Sequence, residues 1–184
     1  MTVSDDQKIN IYLIGFMGVG KSAVGRSLAQ ELGYEFIDSD AAIESAQECS
    51  ISEIFNNRGE QAFRAMEREF IESGHRSRGC VVSCGGGLVI EPGMADLLLS
   101  KGVVICLFAG EETIYERTAR SRKRPLLDVA DPITKIRELL EKRLPIYRAT
   151  GTGICTENRS IRDVTAHILR VYEEDKWRYI PPEK

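Results

Sequence analysis

The sequence predicts an α/β fold with a parallel β-sheet that is covered by helices on both faces. Three observations predict it. Short apolar runs alternate along the chain with longer amphipathic runs. The apolar runs are nearly continuous, which is typical of strands buried on both sides. Strands that alternate with helices imply right-handed crossovers, and such sheets bind their ligands beyond the carboxyl ends of the strands. We therefore expect functional residues in the loops that follow strands.

Five strands and the helices between them follow from these patterns. The strands are predicted at residues 9–14, 35–37, 80–83, 103–108 and 153–156. The helical signals are a stretch from Lys21 to Leu32 that ends at Gly33, a capping box of Ser50 and Glu53, a helix from Pro92 to Gly102, the pair Asp131 and Pro132, and Ser160 with Asp163. No linker or repeat divides the sequence, so we expect a single domain over residues 1–184, with a core at about 9–170 and a polar tail at 177–184.

Composition and charge exclude several classes of protein. The chain has 184 residues, of which 42% are hydrophobic and 29% are charged, as in an ordinary globular domain. Its net charge of −3 argues against binding to nucleic acid or to an anionic membrane surface. No apolar run approaches the ~20 residues of a membrane span, and the amino-terminal residues carry no export signal. We expect a cytoplasmic protein that acts as a monomer.

The cysteines indicate a reducing compartment. The chain has five of them, an odd number, and no Cys-x-x-Cys spacing. Only His75 and His167 could help to complete a zinc site. We expect these thiols to be buried small apolar groups without a redox or metal role.

The strongest motif is a phosphate-binding loop, or P-loop, directly after the first predicted strand. Residues 15–22 read Gly-Phe-Met-Gly-Val-Gly-Lys-Ser and match Gly-x4-Gly-Lys-Ser/Thr. Glycines let successive amides turn inward around a phosphate at the positive end of a helix. Lys21 can follow the β- and γ-phosphates, and the Ser22 hydroxyl is a hard ligand suited to Mg²⁺. The predicted nucleotide-binding residues of this loop are Gly15, Gly18, Val19, Gly20, Lys21, Ser22 and Ala23.

The rest of the sequence narrows the class of P-loop protein. A GTPase would carry an Asn-Lys-x-Asp motif to read guanine, and no such tetrapeptide occurs. The chain also has little room for the coupling domains of a motor ATPase. A small-molecule kinase is therefore the leading class.

Two carboxylates, Asp38 and Asp40, follow the second predicted strand. In an extended segment, residues two apart point the same way, so both could serve one site next to the P-loop. We assign Asp38 to Mg²⁺ and Asp40 to a hydrogen bond from a substrate hydroxyl. The alternative is that Asp40 only caps a helix that begins at Ala41.

Two further motifs suggest an acceptor site. Arg64 and Glu67 lie three residues apart in a helical segment and share a face. Either they form a surface ion pair, or Arg64 binds a substrate carboxylate while Glu67 fixes its orientation. The third predicted strand ends in three glycines, which suggests that a ligand approaches the backbone closely and accepts hydrogen bonds from its amides. The alternative is a loose turn at Gly85, Gly86 and Gly87.

A basic segment follows the fourth predicted strand. Ten of the 25 basic residues lie between Arg117 and Arg148. Residues 117–127 fit a mobile basic flap, in which Arg124 precedes a proline and is biased to an extended conformation. An arginine over the γ-phosphate would neutralise charge, and closure would exclude water. A solvated basic face is the alternative. Arg143, with Tyr147 one turn later, could supply a second cation to a substrate carboxylate.

In order and spacing these motifs closely resemble the shikimate kinase family over roughly residues 9–169. The resemblance rests on the P-loop, Asp38 and Asp40, Arg64 after Gly-Glu-x-x-Phe, the three glycines, Arg124-Pro125-Leu126, and Arg143. It implies a three-layer α/β/α P-loop kinase fold with sheet order 2-3-1-4-5 and a mobile lid at about 117–130. It also implies transfer of the γ-phosphoryl group of MgATP to the 3-hydroxyl of shikimate.

The resemblance further implies a role for each matching residue. Lys21, Asp40 and Arg124 would be catalytic, Ser22 and Asp38 would hold Mg²⁺, and Arg117 would stack on adenine. The shikimate contacts would be Asp40, Arg64, Glu67, Gly85, Gly86, Gly87 and Arg143. Two departures are local. Ile161 stands where the family often has proline near the adenine, and the signature Tyr-x-Glu-x-Ala reads Tyr-Arg-Ala-Thr-Gly at residues 147–151.

Two other functions stay open at this point. One is another small-molecule kinase on the same scaffold, such as a gluconate-type or nucleoside-monophosphate kinase. The other is a catalytically silent nucleotide-binding protein, which should have lost Lys21, Asp38 or Asp40. None of these three residues is missing.

Overall fold

Five parallel strands form one sheet in the order β2-β3-β1-β4-β5. The computed structural model describes residues 7–119, 127 and 129–180. The central strands β1, β3 and β4 are buried almost throughout, whereas the edge strands β2 and β5 are partly exposed. The bounds are β1 (Asn10–Ile14), β2 (Glu35–Asp38), β3 (Cys80–Ser83), β4 (Gly102–Phe108) and β5 (Thr152–Cys155). All five predicted strands are therefore confirmed.

Helices cover both faces of the sheet. On one face α1 and α7 pack together, and on the other α4 and α6 pack against β4. The bounds are α1 (Lys21–Leu32), α2 (Ser39–Gln47), α3 (Ile51–Ser73), α4 (Met94–Lys101), α5 (Glu111–Thr118), α6 (Pro132–Thr150) and α7 (Ile161–Asp175). Short 3-10 turns lie at Leu88–Ile90 and Lys176–Tyr179. In the part of the chain that the structure describes, no helix is both long and apolar enough to cross a membrane.

The predicted caps explain where three of the helices begin. The capping box of Ser50 and Glu53 is formed in both directions at the start of α3. Asp131 caps α6, and Ser160 caps α7. The start predicted at Pro92 is wrong, because Gly93 takes a left-handed conformation (φ 77°) and α4 begins only at Met94. Gly59 interrupts α3 with a φ of 81° and a ψ of 170°, which kinks the helix before Arg64.

The chain end differs from the prediction of a polar tail from residue 177. Tyr179 and Ile180 pack against the core, whereas Trp177 and Arg178 are exposed. Residues 181–184 lie outside the described part of the chain.

The register of the sheet brings the ends of its strands together. Ser83 of β3 pairs with Leu13 of β1 on one side and with Asp38 of β2 on the other. Ile14 pairs in turn with Cys106 of β4. The loops after β1, β2 and β3 therefore meet at one edge of the sheet, which is where the predicted functional residues lie.

Candidate active site

The P-loop between β1 and α1 has the backbone of an anion-binding nest. Gly15, Gly18 and Gly20 have φ angles of 131°, 79° and 100°, a conformation that residues with a Cβ rarely adopt. A Cβ on Gly15 would also lie 2.1 Å from the Leu107 carbonyl oxygen. The amides of Gly20 and of the first turn of α1 lie at the amino end of this helix. These donors point toward the positive end of α1, where an anion is favoured.

Polar side chains surround this loop. Lys21 Nζ donates to the carbonyl oxygens of Gly15 at 2.8 Å and Phe16 at 3.0 Å, so the ammonium lies over the loop. Ser22 Oγ donates to Asp38 Oδ2 at 2.9 Å and lies 3.3 Å from Ser83 Oγ. The ends of β2 and β3 thus bring two hard oxygens to the hydroxyl of the P-loop serine.

The two aspartates after β2 reach the site by a different route from the predicted one. The segment is not extended, because α2 begins at Ser39. Asp38 caps this helix, its Oδ1 accepting from the Ala41 amide at 3.5 Å, so the alternative of Asp40 as the cap is wrong as well. Asp40 lies in the first helical turn, where a carboxylate is favoured. Its Oδ1 lies 2.4 Å from the position that a Cβ on Gly85 would occupy.

The glycine segment (residues 85–87) is the meeting point of the predicted residues. A Cβ on Gly85 would meet Asp40, and one on Gly87 would lie 2.9 Å from both terminal nitrogens of Arg64. Gly86 faces the P-loop, with its Cβ position 3.6 Å from the Met17 amide nitrogen. The segment is therefore packed against residues of the predicted site, and the alternative of a loose turn is wrong.

The amides of the glycine segment are used unequally. The Gly85 N–H donates to Ser39 Oγ at 2.9 Å, so it serves the fold and is not free for a ligand as predicted. The N–H groups of Gly86 and Gly87 have no hydrogen-bond partner among the described residues. These two amides remain candidates for binding an acceptor.

Arg64 is held by two carboxylates of α3. Its Nη1 donates to Glu67 Oε2 at 2.6 Å, and its Nη2 donates to Glu60 Oε1 at 2.8 Å. Glu67 is only 1% exposed, so the alternative of a surface ion pair is wrong. Burial raises the pKa of Glu67 to about 7, the Arg64 guanidinium opposes the rise, and Asp40 adds to it. Glu67 thus changes charge near neutral pH while it contacts the arginine.

The second predicted arginine approaches the same segment from α6. Arg143 Nη1 lies 3.4 Å from the Gly86 carbonyl oxygen, and its guanidinium stands 5.9 Å from the centre of the Phe16 ring. The hydroxyl of Tyr147, one turn later, donates to the same Gly86 oxygen. Arg64 and Arg143 therefore reach adjacent glycines from different helices, although they lie far apart in sequence.

The predicted adenine residue lies on the other side of the P-loop. Arg117 belongs to α5 and not to a flap, because the helix continues through Thr118. Its guanidinium donates to Thr156 Oγ1 at 3.0 Å and to the Thr156 carbonyl oxygen at 3.1 Å. Thr156 Oγ1 in turn donates to the Val19 carbonyl oxygen at 2.9 Å. These contacts connect the loop after β5 to the P-loop.

Part of the predicted lid falls outside the described residues. These are residues 120–126 and 128, which include Arg124 and its neighbours Pro125 and Leu126. The role of Arg124 and the mobility of the lid therefore stay predictions.

Four functional contacts were missed at the sequence level. Ser39 binds the Gly85 amide, Ser83 lies beside Ser22, Thr156 connects Arg117 to the P-loop, and Glu60 binds Arg64. Three of these are small hydroxyl residues at or directly after the carboxyl end of a strand. That position in a parallel sheet is the signal that could have found them.

The thiols near the site do not provide a nucleophile. Burial raises the pKa of Cys84 far above its usual value, and it raises the pKa of Cys106 to about 11 despite the nearby Lys21 ammonium. All five cysteines are free. Cys80, Cys84 and Cys106 are buried as predicted, whereas Cys49 and Cys155 are only partly buried, so the prediction is wrong for these two.

A cavity of about 310 Å³ lies away from this site, against the amino end of β1. Polar groups in the wall of this cavity form hydrogen bonds to the protein backbone. Asn10 Nδ2 donates to the Arg76 carbonyl oxygen at 2.9 Å, and Lys101 Nζ donates to the Glu72 carbonyl oxygen at 2.6 Å. The cavity contains none of the predicted functional residues.

A P-loop on a five-stranded parallel sheet, with a carboxylate and two arginines beside it, defines a P-loop kinase of small molecules. Comparison with known proteins narrows this class. Residues 17–173 match the profile of shikimate kinase. The shikimate kinase of Thermodesulfovibrio yellowstonii is 42% identical over 164 residues, which are 89% of this chain and 95% of the relative. The chain belongs to the shikimate kinase family.

Solved structures agree with this assignment. Shikimate kinase from Acinetobacter baumannii in complex with shikimate has a TM-score of 0.86 and 37% identity, covering 93% of this chain and 96% of that one. A gluconokinase from Sinorhizobium meliloti has a TM-score of 0.58 and 19% identity over 93% of this chain and 97% of its own. Its likeness is one of fold alone.

The raised pKa of Glu67 predicts a measurable pH dependence of stability. Its folded value of about 7 lies above the unfolded value of 4.5, so the folded state binds the extra proton between these limits. The contribution of this group to stability is therefore largest below the unfolded value and is lost as the pH rises toward about 7. When the pH rises from about 5 to about 8, the unfolding free energy of Glu67→Gln should increase relative to that of the wild type by on the order of 1–3 kcal/mol.

Urea unfolding of both proteins at the two pH values measures this difference. Glu60→Gln is the matched control, because Glu60 binds the same arginine but is 66% exposed. If the stability difference between wild type and Glu67→Gln were the same at both pH values, Glu67 would not titrate in this range.

Proposed function

We propose that the protein transfers the γ-phosphoryl group of MgATP to the 3-hydroxyl of shikimate, giving shikimate 3-phosphate and ADP. The observation that carries this proposal is the packing around the glycine segment, where the P-loop, Asp40, Arg64 and Arg143 converge. Shikimate is a small carboxylate with several hydroxyls. Two arginines for its acid group and one carboxylate for its reacting hydroxyl form a matching set.

ATP would bind along the carboxyl edge of the sheet. The P-loop amides at the positive end of α1 would hold its phosphates, and Lys21 would bind the β- and γ-phosphates. Adenine would lie near Arg117, which is fixed by Thr156 beside Val19. Ile161 borders the same loop and is 49% exposed, so it offers an apolar surface for the base where the family often has proline.

The residues around Ser22 fit a magnesium ion. Ser22 Oγ, Asp38 Oδ2 and Ser83 Oγ are hard oxygens grouped at one point. Across residues 7–119, 127 and 129–180 there is no group of three or more His, Cys, Asp or Glu side chains that could hold a metal. Ser22 and Asp38 would therefore supply a minority of the ligands, as is usual for Mg²⁺ bound together with phosphates. When bound, the ion neutralises charge on the β- and γ-phosphates.

Asp40 would orient the attacking hydroxyl. Phosphoryl transfer of this kind has a loose transition state with little bond formation to the nucleophile. A carboxylate next to the acceptor therefore needs only to align the hydroxyl and accept its proton late in the reaction. Asp40 suits this task because it lies against Gly85, one residue from the part of the glycine segment that faces the P-loop.

Arg64 and Arg143 would bind the carboxylate of the acceptor. They reach the glycine segment from α3 and α6, and Glu67 and Glu60 fix the plane of the Arg64 guanidinium. The Gly86 and Gly87 amides would donate to acceptor oxygens. Arg124 would complete the site by covering the γ-phosphate, a role that rests on the sequence motif alone.

We also propose a monomer in the cytoplasm. Among the described residues, the large exposed apolar side chains lie on separate parts of the fold. They are Phe55, Leu99, Val129, Ile161 and Trp177. Scattered residues of this kind do not form the contiguous patch of a stable interface. The five free thiols are consistent with a reducing compartment.

Acceptor-dependent ADP release tests the proposed reaction. With MgATP, we expect rapid ADP release only when shikimate is added, because the two arginines and Asp40 match its groups. Gluconate, AMP and a reaction without acceptor are the comparison arms. Turnover with gluconate or AMP that equals turnover with shikimate would contradict the proposal.

Asp40→Asn tests the role of the carboxylate. The substitution keeps the size of the side chain but removes the acceptor for the proton, so kcat should fall roughly 100-fold or more. The Kd of ATP, measured by calorimetry, should change little. Asp96→Asn is the control, since Asp96 is an exposed aspartate in the first turn of α4. A fully active Asp40→Asn enzyme would rule out this role.

Substitution of the two arginines tests carboxylate binding. Arg143→Gln should raise the KM for shikimate roughly 10- to 150-fold, because it removes a charged hydrogen-bond donor to the acid group. Arg64→Lys should raise the same KM about tenfold, because it keeps the charge but loses the fork geometry. Arg68→Gln is the control on α3, since Arg68 binds the Pro92 carbonyl oxygen. An unchanged KM in either site variant would contradict the proposed binding mode.

A further inference from the structure

Tyr147 forms a buried polar contact that the proposed mechanism does not use. Its side chain is 2% exposed, and its hydroxyl donates to the carbonyl oxygen of Gly86. A buried phenol requires a hydrogen-bond partner, and many such groups use a nearby carbonyl of the core. Here the partner is instead the middle residue of the glycine segment.

The same carbonyl oxygen connects Tyr147 to Arg143. The two residues lie one turn apart on α6, and the Arg143 guanidinium also reaches Gly86 O. A phenol oxygen that donates its proton keeps lone pairs that can accept from a guanidinium beside it. Burial raises the pKa of Tyr147 to about 12, and the adjacent Arg143 opposes the rise. The hydroxyl therefore stays protonated and can donate near neutral pH.

The contact also lies against the nucleotide side of the site. The position of a Cβ on Gly86 is 3.7 Å from the Gly15 carbonyl oxygen, and the Arg143 guanidinium lies over the Phe16 ring, 5.9 Å from its centre. Movement of the Gly86 carbonyl would thus displace Arg143 relative to the P-loop. The hydroxyl of Tyr147 opposes that movement.

We infer that Tyr147 is a positioning residue, whose hydrogen bond to Gly86 fixes the Arg143 guanidinium in the orientation that binds the acceptor carboxylate. The inference rests on the proposed function, since it presumes shikimate as the acceptor. The plain alternative is that Tyr147 only satisfies its own hydroxyl in the core. The two readings differ in whether loss of the hydroxyl changes acceptor binding.

Tyr147→Phe removes the hydroxyl and keeps the ring. Loss of one hydrogen bond that orients Arg143 should raise the KM for shikimate about threefold to tenfold. The KM for ATP and the kcat should stay within about twofold of the wild type. A KM for shikimate that is unchanged would overturn the inference, whatever happens to stability.

Tyr172→Phe is the matched control. Tyr172 is also buried in a helix, and its hydroxyl donates to the Ile9 carbonyl oxygen at 3.2 Å, at the amino end of β1. Both substitutions should lower the melting temperature, but only Tyr147→Phe should weaken the binding of shikimate and so raise its KM. An equal rise of the shikimate KM in both variants would assign the effect to stability and would overturn the inference.

The Arg143→Gln background separates positioning from an independent effect. If Tyr147 acts through Arg143, adding Tyr147→Phe to Arg143→Gln should change the KM for shikimate less than about twofold. A full additional rise in the double variant would overturn the inference. Should Tyr147→Phe unfold in the assay, calorimetric binding of shikimate at low temperature gives the same comparison.

The outcomes also separate this inference from the proposed function. If the wild-type protein does not turn over shikimate, both the proposed function and the inference about Tyr147 are overturned. If the wild-type protein turns over shikimate but Tyr147→Phe leaves the KM for shikimate unchanged, only the inference about Tyr147 is overturned.

Discussion

The site depends on one steric constraint, which is that a Cβ at Gly85 or at Gly87 would take the space of a neighbouring site side chain. Asp40 occupies the space beside Gly85, Arg64 occupies the space beside Gly87, and the P-loop lies against Gly86. The glycines are needed here for close approach, since their φ angles are not in the left-handed region. A strand end without side chains lets residues from α2, α3 and α6 reach the phosphate-binding loop.

The charges of the site are arranged in the same small space. The carboxylates of Asp40 and Glu67 both lie close to the Gly85 Cβ position, at 2.4 Å and 3.2 Å. Arg64 offsets part of this repulsion, yet Glu67 still has a raised pKa because it is buried. An acceptor carboxylate would therefore meet Arg64 and Arg143, and the buried carboxylate that contacts Arg64 has a pKa of about 7.

Sequence patterns predicted the parts that depend on local chemistry. The strands, the P-loop and the helix caps follow from short-range rules, and they appear at the predicted places. The predictions were wrong where a neighbouring residue or element determines the bounds of a helix. Asp38 took the capping position and turned an extended Asp-x-Asp into a helix start, and α5 extended through Arg117. Contacts such as Tyr147 to Gly86 join segments distant in sequence, so no local pattern contains them.

A crystal structure of the protein with shikimate and a non-hydrolysable MgATP analogue tests the central claim most directly. It should show the shikimate carboxylate bound by Arg64 and Arg143, and a ring hydroxyl between Asp40 and the γ-phosphate. Shikimate bound elsewhere, or with its carboxylate turned away from both arginines, would contradict the account of the site.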